Sequence, residues 1–408
     1  YKFEYKYPKE LVMRSFPILG KGQDEKIANA IELFRSAKKP VIYSGGGTIQ
    51  ADASKELTEF SKLIGCPVTN TLMGLGAFPG DDDQFIGMLG MHGTYEANMV
   101  MSEADLIFNV GARFDDRITN NPSKFGLEAK KIHIDSDPSS IDKIIGVDLA
   151  IEGDAKLVMQ QLIEQVKSTG FDQNIYKDWW AQVEGWREAH GLNHDMLKLK
   201  NEKDIILPQQ VIQSLYQTTK GEAYVTSDVG QHQMFAAQYY KFKDPRKWIN
   251  SGGLGTMGFG LPSAMGVKFA FPEADVACVT GEGSIQMCIQ ELSTCGQYGL
   301  PIKIINLNNR ALGMVKQWQD MQYGGRYSSI SYEDSLPDFV KLAESFGHVG
   351  IKVEKLSELN QAMEESFAMK DKLVFLDVLV DPDEHVYPML EAGGSMSEMR
   401  LSKDKKTF

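Results

Sequence analysis

Short apolar runs that stop at a glycine or a polar turn, each followed by a segment of helical apolar spacing, constrain this chain most. The runs "VIYSGGG" (41–47), "CPVTNT" (66–71), "DLIFNVGARF" (105–114) and "KKIHIDSD" (130–137) alternate with helical segments at 24–39, 52–65, 97–104 and 154–170. A strand buried on both faces reads as a continuous apolar stretch, and its alternation with helices marks a parallel sheet covered on both sides. The same rhythm returns after residue 205. Strands are expected at 222–230, 275–284, 301–309 and 373–380, with helices at 204–219, 232–240, 258–271, 285–298 and 336–347. The expected fold class is α/β, with two doubly wound parallel-sheet domains.

At 408 residues the chain exceeds one ordinary core, in keeping with two domains. The expected boundaries are 1–169 for the first domain, 170–204 for a helical linker, 205–375 for the second domain and 376–408 for a C-terminal tail. Within the linker, Trp179, Trp180 and Trp186 read as packing residues. The opening stretch "YKFEYKYPKELVMRSF" has the character of a linker, and a further segment upstream of it is expected.

Lys and Arg total 43 against 55 Asp and Glu, a net charge of −12, and no basic tract is long enough to follow a phosphate backbone. Nucleic acid is not an expected partner. The apolar runs are too short to span a bilayer, so no membrane partner is expected either. Cys66, Cys278, Cys288 and Cys295 form no C-x-x-C pair and read as free buried thiols, which favours a reducing compartment: a bacterial cytoplasm or an organelle interior.

The chemistry is concentrated in "TGEGSIQMCIQELSTCGQYGLPIKIINLNN", residues 280–309. Glu282 and Asn309 stand 27 positions apart, each at the carboxyl end of an expected strand. A right-handed crossover brings two such loops together, where open parallel sheets bind their ligands. Gly281 and Gly283 allow a close backbone approach, and Ser284 is expected to cap a following helix whose N–H groups favour an anion. A carboxylate beside a phosphate needs a cation between them. Mg²⁺, a hard ion that takes oxygen ligands, suits Glu282 and the amide oxygen of Asn309. A capped turn followed by a solvated Asn–Asn turn accounts for the same residues without any ligand.

This stretch resembles the thiamine diphosphate signature, a G-D-G followed by nearly thirty residues and N-N. With "SDVGQHQMFAAQYY", "SGGLGTMGFGLPSAMG", "LGMHGTYEANM" and "GARFDDR", the chain is similar, over practically its whole length, to the catalytic subunits of acetohydroxyacid synthase (acetolactate synthase). The resemblance implies a central FAD-binding domain followed by a C-terminal thiamine diphosphate-binding domain. It also implies that the family's pyrimidine-binding domain, with its cofactor-activating glutamate, is not among these residues. On that basis the isolated chain is expected to bind cofactor but to turn over pyruvate hardly at all.

Carried over motif by motif, the resemblance places Mg²⁺ on the Glu282 and Asn309 side chains and the Ala311 carbonyl. Val229, Gly230, Gln231 and His232 would lie along the diphosphate, within a cofactor shell that also takes in Gly255, Gly281, Gly283, Ser284 and Gly313. Met257 would wedge beneath the bent cofactor, Met314 would face its aminopyrimidine and Val315 its thiazolium. Trp318 would line the second-substrate pocket, and Arg117 would take a substrate carboxylate, which a guanidinium can grip with two hydrogen bonds. FAD would be surrounded by Gly45, Gly46, Thr71, Leu72, Met91, His92, Gly111, Arg113, Asp135 and Asp154. Taken singly, the methionines and Trp318 also read as core packing, Arg117 as a partner of Asp115 or Asp116, and His92 and His232 as loop histidines.

The reaction implied is decarboxylation of pyruvate on thiamine diphosphate and condensation of the hydroxyethyl unit with pyruvate or 2-oxobutyrate, in valine, leucine and isoleucine biosynthesis. FAD would take no net redox part. A homodimer or tetramer, with a small regulatory subunit, is the implied assembly. The alternatives are a non-catalytic cofactor-binding or assembly module and a related thiamine diphosphate carboligase or decarboxylase. One departure stands out: Glu282 occupies the family's aspartate position, and the longer side chain is expected to weaken metal affinity or shift the main chain.

Overall fold

The computed structural model describes residues 4, 6, 20–199, 204–332 and 334–407. Apart from Glu4 and Lys6, the opening stretch read as a linker lies outside the described residues.

Two six-stranded parallel sheets form the frame. The first comprises β1 (Pro40–Ser44), β2 (Val68–Asn70), β3 (Phe85–Met88), β4 (Leu106–Val110), β5 (Lys130–Asp135) and β6 (Leu149–Glu152), in the order β3-β2-β1-β4-β5-β6. The second comprises β7 (Tyr224–Ser227), β8 (Trp248–Asn250), β9 (Val276–Thr280), β10 (Lys303–Asn308), β11 (Val349–Val353) and β12 (Val374–Leu379), in the order β11-β12-β10-β9-β7-β8. Strand order reverses between β1 and β4 in the first sheet and between β7 and β9 in the second. These are the two places where a doubly wound sheet opens a crevice at its carboxyl edge.

Helices cover the sheets because the side chains of interior strands alternate between two apolar faces. In the second sheet, Ala277, Val279, Ile305 and Leu307 join one core cluster, while Val276, Cys278, Ile302 and Ile304 join another on the opposite face. Every residue of β1, β4, β9 and β10 is buried. The sequence reading found eight strands and missed four: β3, β6, β8 and β11. All four are sheet edges. With a neighbour on one side only, their residues are partly exposed in a broken pattern, so no continuous apolar run announces them.

The linker helix Lys177–His190 packs on the first sheet. Trp179 Nε1 donates to the Pro40 carbonyl at 3.0 Å, Trp180 Nε1 donates to the Gly65 carbonyl at 2.7 Å, and Trp186 meets Trp179 edge to face. All four cysteines are buried and unbonded. Strand β12 runs past the boundary set at residue 375, and the chain beyond it returns to the first domain. There Leu390, Met396 and Met399 enter the first core, and Asn120 Nδ2 donates to the Glu391 carbonyl at 2.7 Å. Among the described residues no helix is long and apolar enough to cross a membrane.

Between β9 and β10 the expected single helix is split into Glu282–Ile285 and Glu291–Tyr298. The chain between them tightens to i→i+3 bonding, with Met287, Cys288, Glu291 and Leu292 donating to carbonyls three residues back. Ile285, Cys288 and Leu292 keep their apolar contacts on one face, so the tightening leaves that core intact.

Candidate functional site

Three loops converge at the carboxyl edge of the second sheet, after β7, β9 and β10. They line a cleft of about 550 Å³ with Val229, Gly230, Gln231, His232, Gly281, Glu282, Gly283, Ser284, Asn309, Ala311 and Gly313, and with Met257, Met314 and Val315.

The loops are held from behind. Asp228, fully buried at the end of β7, accepts from Thr280 Oγ1 at 2.6 Å and from the Gly260 backbone N–H at 2.7 Å. It thereby ties β7 to β9 and to the first turn of helix Gly260–Ala270, where a negative charge is favoured. Sequence reasoning passed over Asp228, although an acid between a strand and a glycine is the same signal that drew attention to Glu282. Ser284, expected as a helix cap, instead donates weakly to the Val229 carbonyl at 3.4 Å and so bridges two loops; Gly281 occupies the capping position. His232 lies against Gly230 and Gly281, where an added Cβ would come within 2.8 and 2.9 Å of its ring. Burial pushes its pKa down to about 4, which keeps the ring neutral, and its Nε2, buried at the cleft wall, has no hydrogen-bond partner.

Glu282 is 1% exposed. Its Oε1 accepts the Ala311 backbone N–H at 2.6 Å, and Asn309 Oδ1 accepts the same N–H at 3.1 Å. One donor thus gathers a carboxylate oxygen and an amide oxygen beside the Ala311 carbonyl. Burial pushes the Glu282 carboxyl up to about 8. An all-oxygen set with one buried carboxylate and no lysine or arginine lining the cleft fits a hard divalent cation. Among the described residues no three His, Cys, Asp or Glu side chains cluster, so any such ion relies on amide and main-chain oxygens.

Gln231 does not extend freely along the cleft. Its Oε1 accepts from Asn309 Nδ2 at 3.1 Å, and its Nε2 is bound to Gln317 Oε1 at 2.9 Å. Gly313 makes room for this contact; a Cβ there would stand 2.1 Å from Gln231 Oε1. Gly255 is exposed with φ +70° and lies outside the cleft lining. Trp318 lies on the same helix as Met314 and Val315, Gly313–Tyr323, without lining the cleft. Arg117 is also apart from it, an exposed side chain paired with Asp116 at 3.2 Å. Pro208, Phe235, Leu307, Leu312 and Val380 complete the walls, apolar residues that no motif singled out.

The ten remaining candidates occupy the first sheet. Gly45 and Gly46 follow β1, Thr71 and Leu72 follow β2, Met91 and His92 follow β3, Gly111 and Arg113 follow β4, Asp135 ends β5 and Asp154 follows β6. All lie at one carboxyl edge. Gly45 and Gly111 let the two loops at the strand-order reversal touch, since a Cβ on Gly45 would fall 2.3 Å from the Gly111 carbonyl. Some of these side chains already have structural partners: Asp154 caps helix Ala155–Thr169, Thr71 caps a short turn, and Arg113 pairs with Asp115. His92 is buried, its ring against the main chain of Val386 and Pro388, and burial pushes its pKa down to about 4.

Comparison with known proteins decides the family. Residues 228–378 match the thiamine pyrophosphate enzyme C-terminal TPP-binding domain, and residues 27–162 match the thiamine pyrophosphate enzyme central domain. The acetolactate synthase large subunit of Haemophilus influenzae is 52% identical over 407 residues, covering 100% of this chain and 70% of that protein. The chain belongs to the acetolactate synthase large-subunit family. The isozyme 3 large subunit of Escherichia coli K12 is 54% identical over 410 residues, with the same two shares, 100% and 70%. The acetolactate synthase of Mycobacterium leprae is 39% identical over 404 residues, covering 98% of this chain and 64% of that protein. In this thiamine diphosphate-dependent family, the matched C-terminal domain contains the cleft between β7, β9 and β10.

Proposed function

We propose that the chain acts in acetolactate synthesis, with thiamine diphosphate anchored through Mg²⁺ in the cleft of the second sheet. Its substrates would be pyruvate and, as second acceptor, pyruvate or 2-oxobutyrate. Residues up to 169 would carry FAD, and those from 205 onward the diphosphate. The observation that carries this reading is the convergence of Glu282, Asn309 and Ala311 oxygens around a buried carboxylate that has no cationic partner in the cleft.

When bound, thiamine diphosphate supplies the thiazolium carbon on which pyruvate loses CO₂ and from which the two-carbon unit passes to a second 2-oxo acid. The protein's part is to bind, orient and desolvate. Glu282, Asn309 and the Ala311 carbonyl would hold the cation. His232, its ring neutral, would line the diphosphate end of the cleft. Met257, Met314 and Val315 would exclude water from the reacting end, and Trp318 would set the size of the second-substrate pocket. Arg117 would receive a substrate carboxylate; its exposed pair with Asp116 is worth only about 0–1 kcal/mol and is readily exchanged.

For FAD, the support is a six-loop carboxyl edge at a strand-order reversal, with the buried His92 beside it. For assembly, the support is an uncharged exposed face on helices Gly260–Ala270 and Glu291–Tyr298, where Pro262, Gly266, Phe269, Ser293, Gly296 and Tyr298 meet solvent beside Met287. A second copy of the chain would cover it. A small regulatory subunit is a further expected partner, consistent with the large-subunit names of the relatives. The test is a calorimetric titration of thiamine diphosphate with and without Mg²⁺, paired with product analysis on mixed pyruvate and 2-oxobutyrate. Mg²⁺-dependent binding is expected, and whatever carboligation product forms is expected to be an acetohydroxy acid. Cofactor binding indifferent to Mg²⁺, or acetaldehyde as the sole product, would overturn the reading.

A further inference from the structure

The amide of Asn309 must present its oxygen, not its nitrogen, to the cation site; in the loop after β10 the Ala311 N–H favours that sense at 3.1 Å but is shared with Glu282 Oε1 at 2.6 Å. A chain of hydrogen bonds from the C-terminal segment sets it from the other side. The Val386 backbone N–H, which can only donate, gives its hydrogen to Gln317 Oε1 at 2.9 Å, while Gln317 Nε2 donates to the Val386 carbonyl at 3.0 Å. The side chain of Gln317 is therefore oriented by main chain. Its oxygen requires the Gln231 nitrogen at 2.9 Å, which turns Gln231 Oε1 toward Asn309. That oxygen takes Asn309 Nδ2 at 3.1 Å and leaves Asn309 Oδ1 facing Ala311 and Glu282. The second hydrogen of Gln231 Nε2 is directed at His385 Nδ1, 3.3 Å away.

His385 can accept there only if its proton sits on Nε2. Asp320 secures this, with Oδ2 2.8 Å from His385 Nε2 and itself anchored by Lys316 at 3.0 Å and Tyr327 at 2.5 Å. Gln231, Gln317 and His385 are all buried, so water cannot substitute for a lost partner. Amide and imidazole orientations are fixed here by the network as a whole, which starts from a main-chain donor of unambiguous sense.

We propose that His385, through Gln231, is a positioning residue for the metal ligand Asn309, with Asp320 fixing the tautomer this requires. The inference rests on the Mg²⁺ site proposed above. It assigns to a residue 76 positions beyond Asn309 in sequence a direct hand in metal affinity, without contact to metal or cofactor.

The test uses two substitutions at one position. His385→Asn puts a carbonyl oxygen where Nδ1 stood and keeps an acceptor for Gln231; His385→Gln reaches Asp320 in place of Nε2 and loses that acceptor. Mg²⁺ is titrated calorimetrically into each protein with thiamine diphosphate in excess, and thermal melting checks that both fold. The expected result is an Mg²⁺ dissociation constant raised about five- to tenfold in His385→Gln, the scale of one buried hydrogen bond, and within about twofold of the parent in His385→Asn. Equal constants for all three proteins would overturn the positioning role, and equal weakening in both variants would reduce His385 to a packing residue. A parent protein that shows no Mg²⁺-dependent binding would instead overturn the metal site on which the inference rests.

Discussion

Shortening Glu282 to aspartate should tighten Mg²⁺ binding. The extra methylene carries the carboxylate roughly 1.5 Å farther than an aspartate reaches, far enough for Oε1 to take the Ala311 N–H at 2.6 Å. A cation drawn to that oxygen must displace a hydrogen bond worth about 0.5–1.5 kcal/mol. It must also displace a proton, because burial holds the carboxyl at about 8; at pH 7 that adds about 1.4 kcal/mol. In Glu282→Asp the shorter side chain releases Ala311 N–H to Asn309 Oδ1, its other partner at 3.1 Å, and leaves space between carboxylate and carbonyl for the ion. Relief of the hydrogen-bond cost alone corresponds to about a two- to tenfold lower dissociation constant. The assay is calorimetric titration of Mg²⁺ at pH 7 with thiamine diphosphate in excess, on the parent and the variant. Superimposable isotherms, or a weaker variant, would refute the argument that the longer acid is tied up by the main chain.

The same carboxyl makes the protein pH-sensitive in a defined direction. Its folded value, about 8, lies above the ordinary 4.5, so its contribution to stability is complete below pH 4.5 and is lost as pH rises through 8. Melting of the Mg²⁺-free protein, followed by calorimetry from pH 5 to 9, should fall over that window; Glu282→Gln should flatten the slope. Because the cation needs the ionised acid, Mg²⁺ affinity should rise with pH up to about 8 and level off above it. Gly313→Ala should weaken Mg²⁺-dependent cofactor binding about fivefold or more, since its Cβ would lie 2.1 Å from Gln231 Oε1 and 2.4 Å from Asn309 Nδ2 and overpacking of this kind costs about 1–3 kcal/mol. His92→Leu should leave the flavin-free protein folded, as thermal melting checks, since leucine matches the apolar surroundings of this buried position. It should weaken FAD binding, read as reduced quenching of flavin fluorescence; unchanged quenching would remove His92 from the flavin site.

The interior of each sheet was legible because a strand buried on both faces needs apolar residues at every position, as β1, β4, β9 and β10 have. The edges were not, because β3, β6, β8 and β11 face a neighbour on one side only and accept polar residues. At the site, the loops that turn on glycine at a strand end were legible, and with them Glu282 and Asn309. What stayed hidden was set by tertiary contact. Ser284 sits where a cap belongs but faces Val229 instead. Gln231 follows a glycine as a phosphate-binding residue would, yet spends its amide on Asn309 and Gln317. His385 and Gln317 carry no local signal, since their partners come from 65 to 154 positions away in the sequence.

The central claim is that a divalent cation held by Glu282, Asn309 and Ala311 anchors the diphosphate at the carboxyl edge of the second sheet. Its most direct measurement is anomalous diffraction from crystals grown with thiamine diphosphate and Mn²⁺ in place of Mg²⁺. The account predicts one strong peak within coordinating distance of all three oxygens and of the diphosphate. A diphosphate bound in that cleft with no metal peak beside Glu282, or a peak coordinated elsewhere, would contradict it.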